Sequence, residues 1–332
     1  MTEASRELVI VGVDSAAFAP LLEILEERKT VQPAQLRLLE EEEEGMADPQ
    51  VFANRSIPVQ SLEKFTFAPE QVVVLLRGGE AVQAALAAAE AAGAWVLDGA
   101  DNTRGDESVT LLHPLLNPQD IDSAERKLLA LPTPGAAMVA EALFPLRGQL
   151  QAVEVLLNQP VSALGKAAVD SMAAQTARLF SGQEPEVDPE IGQRLAFNQL
   201  SASEPLLSSG HSLGELALVH DLRRLLGDRV AVDASINTAS VFHGQLANLR
   251  IVLKEEVALD KLGALLRNGA RLQLMERPSA QDAVGGEATL IGRLRQSLLS
   301  KHQVNFCTAS DNLRKDVAMN CAQIVHLLLK NH

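Results

Sequence analysis

Aromatic side chains are scarce in this chain: 3% of its 332 residues, with nine Phe, one Trp and no Tyr. So few rings make a poor stacking platform for nucleobases and leave the packing to aliphatic residues and alanine. Cysteine is nearly as rare. Cys307 and Cys321 lie in different apolar segments without zinc-ligand spacing, which argues against a disulfide framework and against a metal site and fits a reducing compartment. Basic residues are outnumbered, 29 Lys and Arg against 43 Asp and Glu, and the net charge of -14 repels phosphate backbones and anionic lipid. No run reaches the roughly 18 apolar residues a membrane span requires. The opening MTEASRELVIVGV has no basic stretch ahead of a long apolar one, so no secretory leader is expected. The expectation is a cytoplasmic protein with neither nucleic acid nor membrane as partner.

What is present is a regular alternation. LVIVG at 8–12 is a short β-branched run, and Phe18, Leu21, Leu22 and Leu25 follow it at helical spacing. QLRLL near 35–39, QVVVLLRGG at 71–79, an alanine-rich stretch stopped at Gly93, and AWVLD repeat the theme. Strands that are apolar throughout and alternate with helices predict a doubly wound parallel sheet covered on both faces. Beyond Pro134 the strands lengthen: QAVEVLLNQ, RVAVDASIN, NLRIVLKEE and RLQLM. In NLRIVLK, Leu249, Ile251 and Leu253 alternate with Arg250, Val252 and Lys254, the pattern of a mixed or antiparallel sheet with one face buried. PSAQDAVGGEA at 278–288 reads as a flexible loop. The tail from Asp311 reads as a capped helix with an apolar stripe through Val317, Cys321, Ile324 and Leu328, long enough to pack back on the first domain. The boundaries implied are 1–130, a Rossmann-like domain completed by 311–332, and 131–310, an α+β domain.

Several stretches could carry chemistry. GVDSAAF at 12–18 stands where a dinucleotide-binding turn needs G-x-G-x-x-G, yet only Gly12 remains. Ser15 and Phe18 stand where the fold wants little or no side chain, and Asp14 adds negative charge. Glu40 to Glu44 follow the second strand. A carboxylate there can accept from a ribose hydroxyl, five repel a 2'-phosphate, and the run also reads as a solvated acidic loop; both readings count against NADP. Gly78-Gly79 is a possible anion turn. Arg104 and Lys166 could grip a phosphate or carboxylate, or could simply be solvated. Asn312, Arg314 and Lys315 open the last helix, where anions are attracted, although a structural cap by Asp311 explains that stretch as well. His243 in VFHGQ is a candidate acid or base without a neighbouring nucleophile, and both cysteines read as small core residues. LLALPTPGAAMVAEAL at 128–143 breaks at Pro-Thr-Pro-Gly at the mouth of a helix, where enzymes often mount a nucleophile.

Taken together these stretches resemble the aspartate-semialdehyde dehydrogenases over nearly the whole chain. The resemblance is carried by LVIVGVDSAAFAPLLEILEER, VVVLLRGGEAVQAAL, AWVLDGADNTR, LLHPLLNPQDI and, most specifically, NQPVSALGKAAV and DNLRKDVAMNCAQI. It implies a family that reduces aspartyl phosphate with NADPH through a cysteine thiolate, a histidine and a carboxylate-gripping arginine. Mapped residue by residue, the nucleophile position is Pro134, the acid/base position Gln245 and the carboxylate-binding position Thr238. Thr133 lies beside the first as a poor substitute for a thiolate.

Arg104, Gln159, Ser162, Gly165 and Lys166 match retained pocket positions, while Gly12, Gly78, Gly79 and Asn312 match a degenerate cofactor site. This pattern resembles the catalytically incomplete Usg branch. The implied protein is a homodimer, pairing near NLRIVLKE and TLIGRLRQ, that binds a small anionic ligand or a protein partner and regulates a related enzyme. No cofactor is expected. NADP or NAD enters only on the alternative, an active dehydrogenase with non-standard catalytic residues such as His243 or Thr133.

Overall fold

The structure is a computed structural model that describes residues 6–41, 48–103, 105–189 and 191–331. It divides into two compact units, Met1–Pro132 with Val317–His332, and Thr133–Asp316.

The first unit begins with β1 (Glu7–Val11), whose Leu8 to Val11 are wholly buried. Helix α1 (Phe18–Glu27) buries Phe18, Leu21, Leu22, Ile24 and Leu25, the single face that its spacing predicts. There follow β2 (Leu36–Glu40), a small hairpin of β3 (Gln50–Phe52) and β4 (Arg55–Ile57), then β5 (Val59–Ser61) and β6 (Gln71–Leu75). Helix α2 (Glu80–Ala91) stops at Gly93, which takes the left-handed φ of +80° that ends helices. The chain continues through β7 (Trp95–Asp98), β8 (Thr110–Leu111) and β9 (Leu128–Ala130). The seven strands lie in the order β5-β2-β1-β6-β7-β9-β8, every neighbour parallel. Strand order reverses between β1 and β6, so the turns after these strands, at Gly12 and at Gly78-Gly79, open on the crevice where parallel sheets bind ligands.

The second unit comprises α3 (Pro134–Leu143), β10 (Leu150–Pro160), α4 (Lys166–Phe180), β11 (Gln199–Leu200), α5 (Leu213–Leu226), β12 (Ala231–Ala239), β13 (Gln245–Leu253) and α6 (Leu259–Arg267). It ends with β14 (Leu272–Leu274), α7 (Ala280–Ala283), β15 (Thr289–Gln296) and β16 (Gln303–Ser310). Its sheet, β11-β12-β10-β13-β16-β15-β14, mixes parallel and antiparallel pairs. Val153, Val155, Leu157, Leu249, Ile251 and Leu253 are buried on one side, while Glu154, Leu156 and Arg250 on the other stay exposed. The buried side packs under α3 and α5. A methyl group added to Gly135 of α3 would lie 2.6 Å from Leu157, so the helix approaches β10 as closely as glycine permits.

The segment 278–288 departs from the loop its glycines suggest. Ser279 and Asp282 form a reciprocal cap around α7, Ala283 is buried, and the Gly285 amide donates to Asp311 at 2.8 Å. A capping box of Ser and Asp is hard to tell from ordinary loop polarity in sequence. The tail also differs in detail. Asp311 does cap it, accepting from the amides of Leu313 and Arg314, but the turns Arg314–Met319 are wound wide, with the Asp316 amide reaching Asp311 O at 3.1 Å. Regular α8 (Asn320–Asn331) follows, and Val317, Cys321, Ile324 and Leu328 are all buried in the first unit.

Candidate functional site

The Pro-Thr-Pro-Gly corner places Pro134 at the first position of α3, where a missing N–H costs nothing. Thr133 precedes it as N-cap and donates its amide to Asp221 of α5 at 2.7 Å. Burial pushes the Asp221 carboxyl up, and His220 lies 3.7 Å from it. The Thr133 hydroxyl is closed off from solvent.

Gln245 opens β13 and is 2% exposed. Its Nε2, with two N–H donors, lies 2.9 Å from the carbonyl of Pro134, 2.8 Å from Asp316 Oδ2 and 3.2 Å from Ser310 Oγ, and shares its hydrogens among the three. The structure thus brings together the two positions that sequence comparison assigned to nucleophile and acid/base, and joins them by an amide that does not titrate. Ser310 Oγ also donates to Asp316. Lys315 is fully buried, its Nζ 2.6 Å from Glu141 and 2.7 Å from Asp316. Arg271 and Thr289 donate to Glu141, each at 2.7 Å. Two carboxylates and two cations close a neutral cluster, the arrangement that lets charge persist away from water. Burial still raises the Asp316 carboxyl to about 6.

The positions of Thr238 and Asn312 carry no charge. Thr238 on β12 pairs in register with Gln159 on β10, accepts from its amide at 3.1 Å and donates to Ser203 at 3.0 Å. Asn312 is buried, donating to Ser162 at 3.1 Å and accepting from the Gly244 amide at 3.1 Å. Gly165 has φ +95°, and Lys166 begins α4 exposed. His243 is exposed, one residue before a Gly244 so tightly packed that a Cβ would meet Ala280 O at 2.3 Å. Arg104 and Glu42 to Glu44 lie outside the described residues. Both cysteines are buried, and burial raises their thiols, the opposite of nucleophile activation.

In the first unit, Gly12 takes φ +100°, a conformation its tight turn requires, and packs against Arg77. Arg77 donates to Glu40 at 2.8 Å and to Asp14 at 3.3 Å. The Asp14 amide, aimed where a phosphate would be expected, donates instead to Glu40 at 3.2 Å. The amides of Ser15, Ala17 and Phe18 go to Gly12 O, Ser15 Oγ and Ser15 O. Phe18 is buried. At the second turn, a Cβ on Gly79 (φ +141°) would lie 3.2 Å from a Glu41 carboxylate oxygen. With Asp14, Glu40 and Glu41 around one Arg77, these turns do not fit the phosphates of a dinucleotide.

Asp221, Glu141, Arg271, Asp316 and Arg77 escape a reading of the sequence, and Lys315 looks like a solvated helix-start cation. One signal was available: Glu141 stands alone in the apolar PGAAMVAEAL, and a carboxylate there must find a partner.

Comparison with known proteins agrees with this architecture. Residues 143–315 match the family described as semialdehyde dehydrogenase, dimerisation domain. Aspartate-semialdehyde dehydrogenase 2 of Vibrio cholerae is 26% identical, and a USG-1 protein homolog of Azotobacter vinelandii 29%, each alignment covering 98% of both chains. The crystal structure of Vibrio cholerae aspartate semialdehyde dehydrogenase II complexed with ASA superimposes with a TM-score of 0.92 at 25% identity, over 99% of this chain and 100% of that one. A parallel sheet unit, a mixed sheet unit and a family match over more than half the residues lead to one conclusion: the chain belongs to the semialdehyde dehydrogenase family.

Proposed function

We propose that this chain is a non-catalytic member of the aspartate-semialdehyde dehydrogenase family, on its Usg-like branch, that works by binding protein rather than by turning over substrate. The observation that carries the reading is the hydrogen bond from Gln245 to the carbonyl of Pro134. Acyl transfer through a covalent intermediate needs a nucleophile and a group that moves protons. A proline side chain cannot attack, a carboxamide does not exchange protons near neutral pH, and Thr238 offers no charge to a carboxylate. Nor is a relocated nucleophile in view. Thr133 is closed to solvent, so its hydroxyl presents no face to a substrate.

The reaction itself tests this. Aspartate semialdehyde, phosphate and NADP mixed with the purified protein should give no NADPH, and Pro134→Cys alone should stay silent because Gln245 and Thr238 remain. Turnover by that single variant would overturn the reading.

The partner this reading favours is a second copy, docked on the open face of the mixed sheet. Along one row Asp233, Glu154, Arg250, Asn305 and Arg295 are cross-strand neighbours on five successive strands. The Glu154–Arg250 pair closes at 2.9 Å. Arg295 reaches this row through a bulge in β15 at which Arg293 takes φ +55°. The row borders a depression of about 310 Å³. It runs from acid to base, so a two-fold axis parallel to the strands sets the acidic half of one copy over the basic half of the other. Sedimentation should show a dimer. Reversing the acids (Asp233→Arg with Glu154→Arg) or the bases (Arg250→Glu with Arg295→Glu) should give monomers, and mixing the two variants should restore dimers. A monomeric wild-type protein would end this part of the proposal.

A further inference from the structure

We infer that Glu40 acts as an internal anionic ligand of the first unit, standing where a phosphate would take the Asp14 amide of the Gly12 turn, with Arg77 as the cation that holds it and Glu41 set beside the Gly79 turn. The inference deepens the reading of a family member that works without a dinucleotide, and rests on it.

Every polar atom of the Glu40 carboxylate is engaged. Oε1 accepts from Arg77 at 2.8 Å and from the Glu41 amide at 3.1 Å, and Oε2 accepts from the Asp14 amide at 3.2 Å. Its side chain is 11% exposed, the least of Asp14, Glu40 and Arg77. Glu41 points at the other turn. Among the described residues its Oε1 is shut off from water and has no hydrogen-bond partner, and it is the atom that a Cβ on Gly79 would approach at 3.2 Å. A carboxylate left in that position, against the first residues of α2, has the amide end of the helix as its compensating field. Two separate glycine turns on one crevice are thus each met by a carboxylate from the end of β2.

A carboxylate at the end of a second strand could instead serve a bound NAD by accepting from its ribose. Here Glu40 already accepts from Arg77, the Glu41 amide and the Asp14 amide, so a ribose hydroxyl would have to share the carboxylate with all three. The site underneath is therefore a latent phosphate site: amides, a helix start and a guanidinium, held closed by charge of the same sign as the ligand it would take.

The test is calorimetric titration of the full-length protein with inorganic phosphate, NADP and NAD. The wild type should give no binding heat with any of the three at millimolar concentration. Glu40→Gln combined with Glu41→Gln should gain phosphate affinity by about tenfold or more, the equivalent of ~1.4 kcal/mol, and adding Arg77→Ala should abolish the gain. A folded double variant that stays silent would overturn the inference, as would a wild type that binds NAD and loses it on Glu40→Gln, since Glu40 would then be a ribose ligand. Should the double variant fail to fold, Glu40→Gln alone, which keeps the shape of the side chain, is read by the same criteria. Because phosphate binding is scored without turnover, a failure here leaves the question of catalysis untouched, and NADPH formation by the wild type would sink the other reading alone.

Discussion

Each unit contains a cluster of acids gathered around a base, and the two clusters behave as opposites. In the first, Arg77 holds Asp14 and Glu40 with side chains 27, 57 and 11% exposed, so water and salt share the load. In the second, Lys315, Glu141 and Asp316 are at or within 1% of complete burial, and nothing but protein compensates their charge. The difference teaches where sequence change is cheap. The first cluster can lose a partner and be rescued by solvent, whereas the second must be kept whole or replaced whole.

The largest effect expected from breaking this contrast is Lys315→Met, which leaves two buried carboxylates to Arg271 alone and should cost ~3–5 kcal/mol in urea unfolding. Next comes the pH dependence of Asp316. Its folded carboxyl, raised to about 6 from 3.8 chiefly by burial, holds its proton more tightly than the unfolded chain does. Its contribution to stability is therefore complete below the unfolded value and fades as pH climbs through the folded one. Asp316→Asn should flatten unfolding free energy over that window, and an unchanged slope would mean another group titrates there. Gln245→Ala removes the donor shared by Pro134, Ser310 and Asp316, and should cost ~1–3 kcal/mol. The smallest effect belongs to the first unit: Glu40→Gln should shift stability by no more than ~1 kcal/mol, and a loss approaching that of Lys315→Met would erase the distinction.

Much of the fold could be read in advance because its signals are local. The buried runs around Val9, Val73 and Val96 declare a parallel sheet, the alternation through Leu249, Ile251 and Leu253 a half-buried strand, and Gly93 a helix end. Pro134, Gln245 and Thr238 were placed by resemblance, and the structure sets the first two in contact while Thr238 pairs with Gln159. The charged clusters were out of reach for a different reason. Lys315 meets Glu141 across 174 residues and Arg77 meets Glu40 across 37, and a run such as DNLRKD looks identical whether its charges face water or each other. Long-range electrostatic pairing leaves no periodic trace.

The shortage of aromatics has one practical consequence. Trp95, at the start of β7 and 8% exposed, is the sole tryptophan, and no tyrosine accompanies it. Excited at the red edge of the protein band, the molecule emits from the first unit alone, and the second is spectroscopically dark. Emission therefore follows the melting of the parallel sheet unit while far-ultraviolet dichroism follows the whole chain, so a mismatch between the two curves would time the units separately without any label.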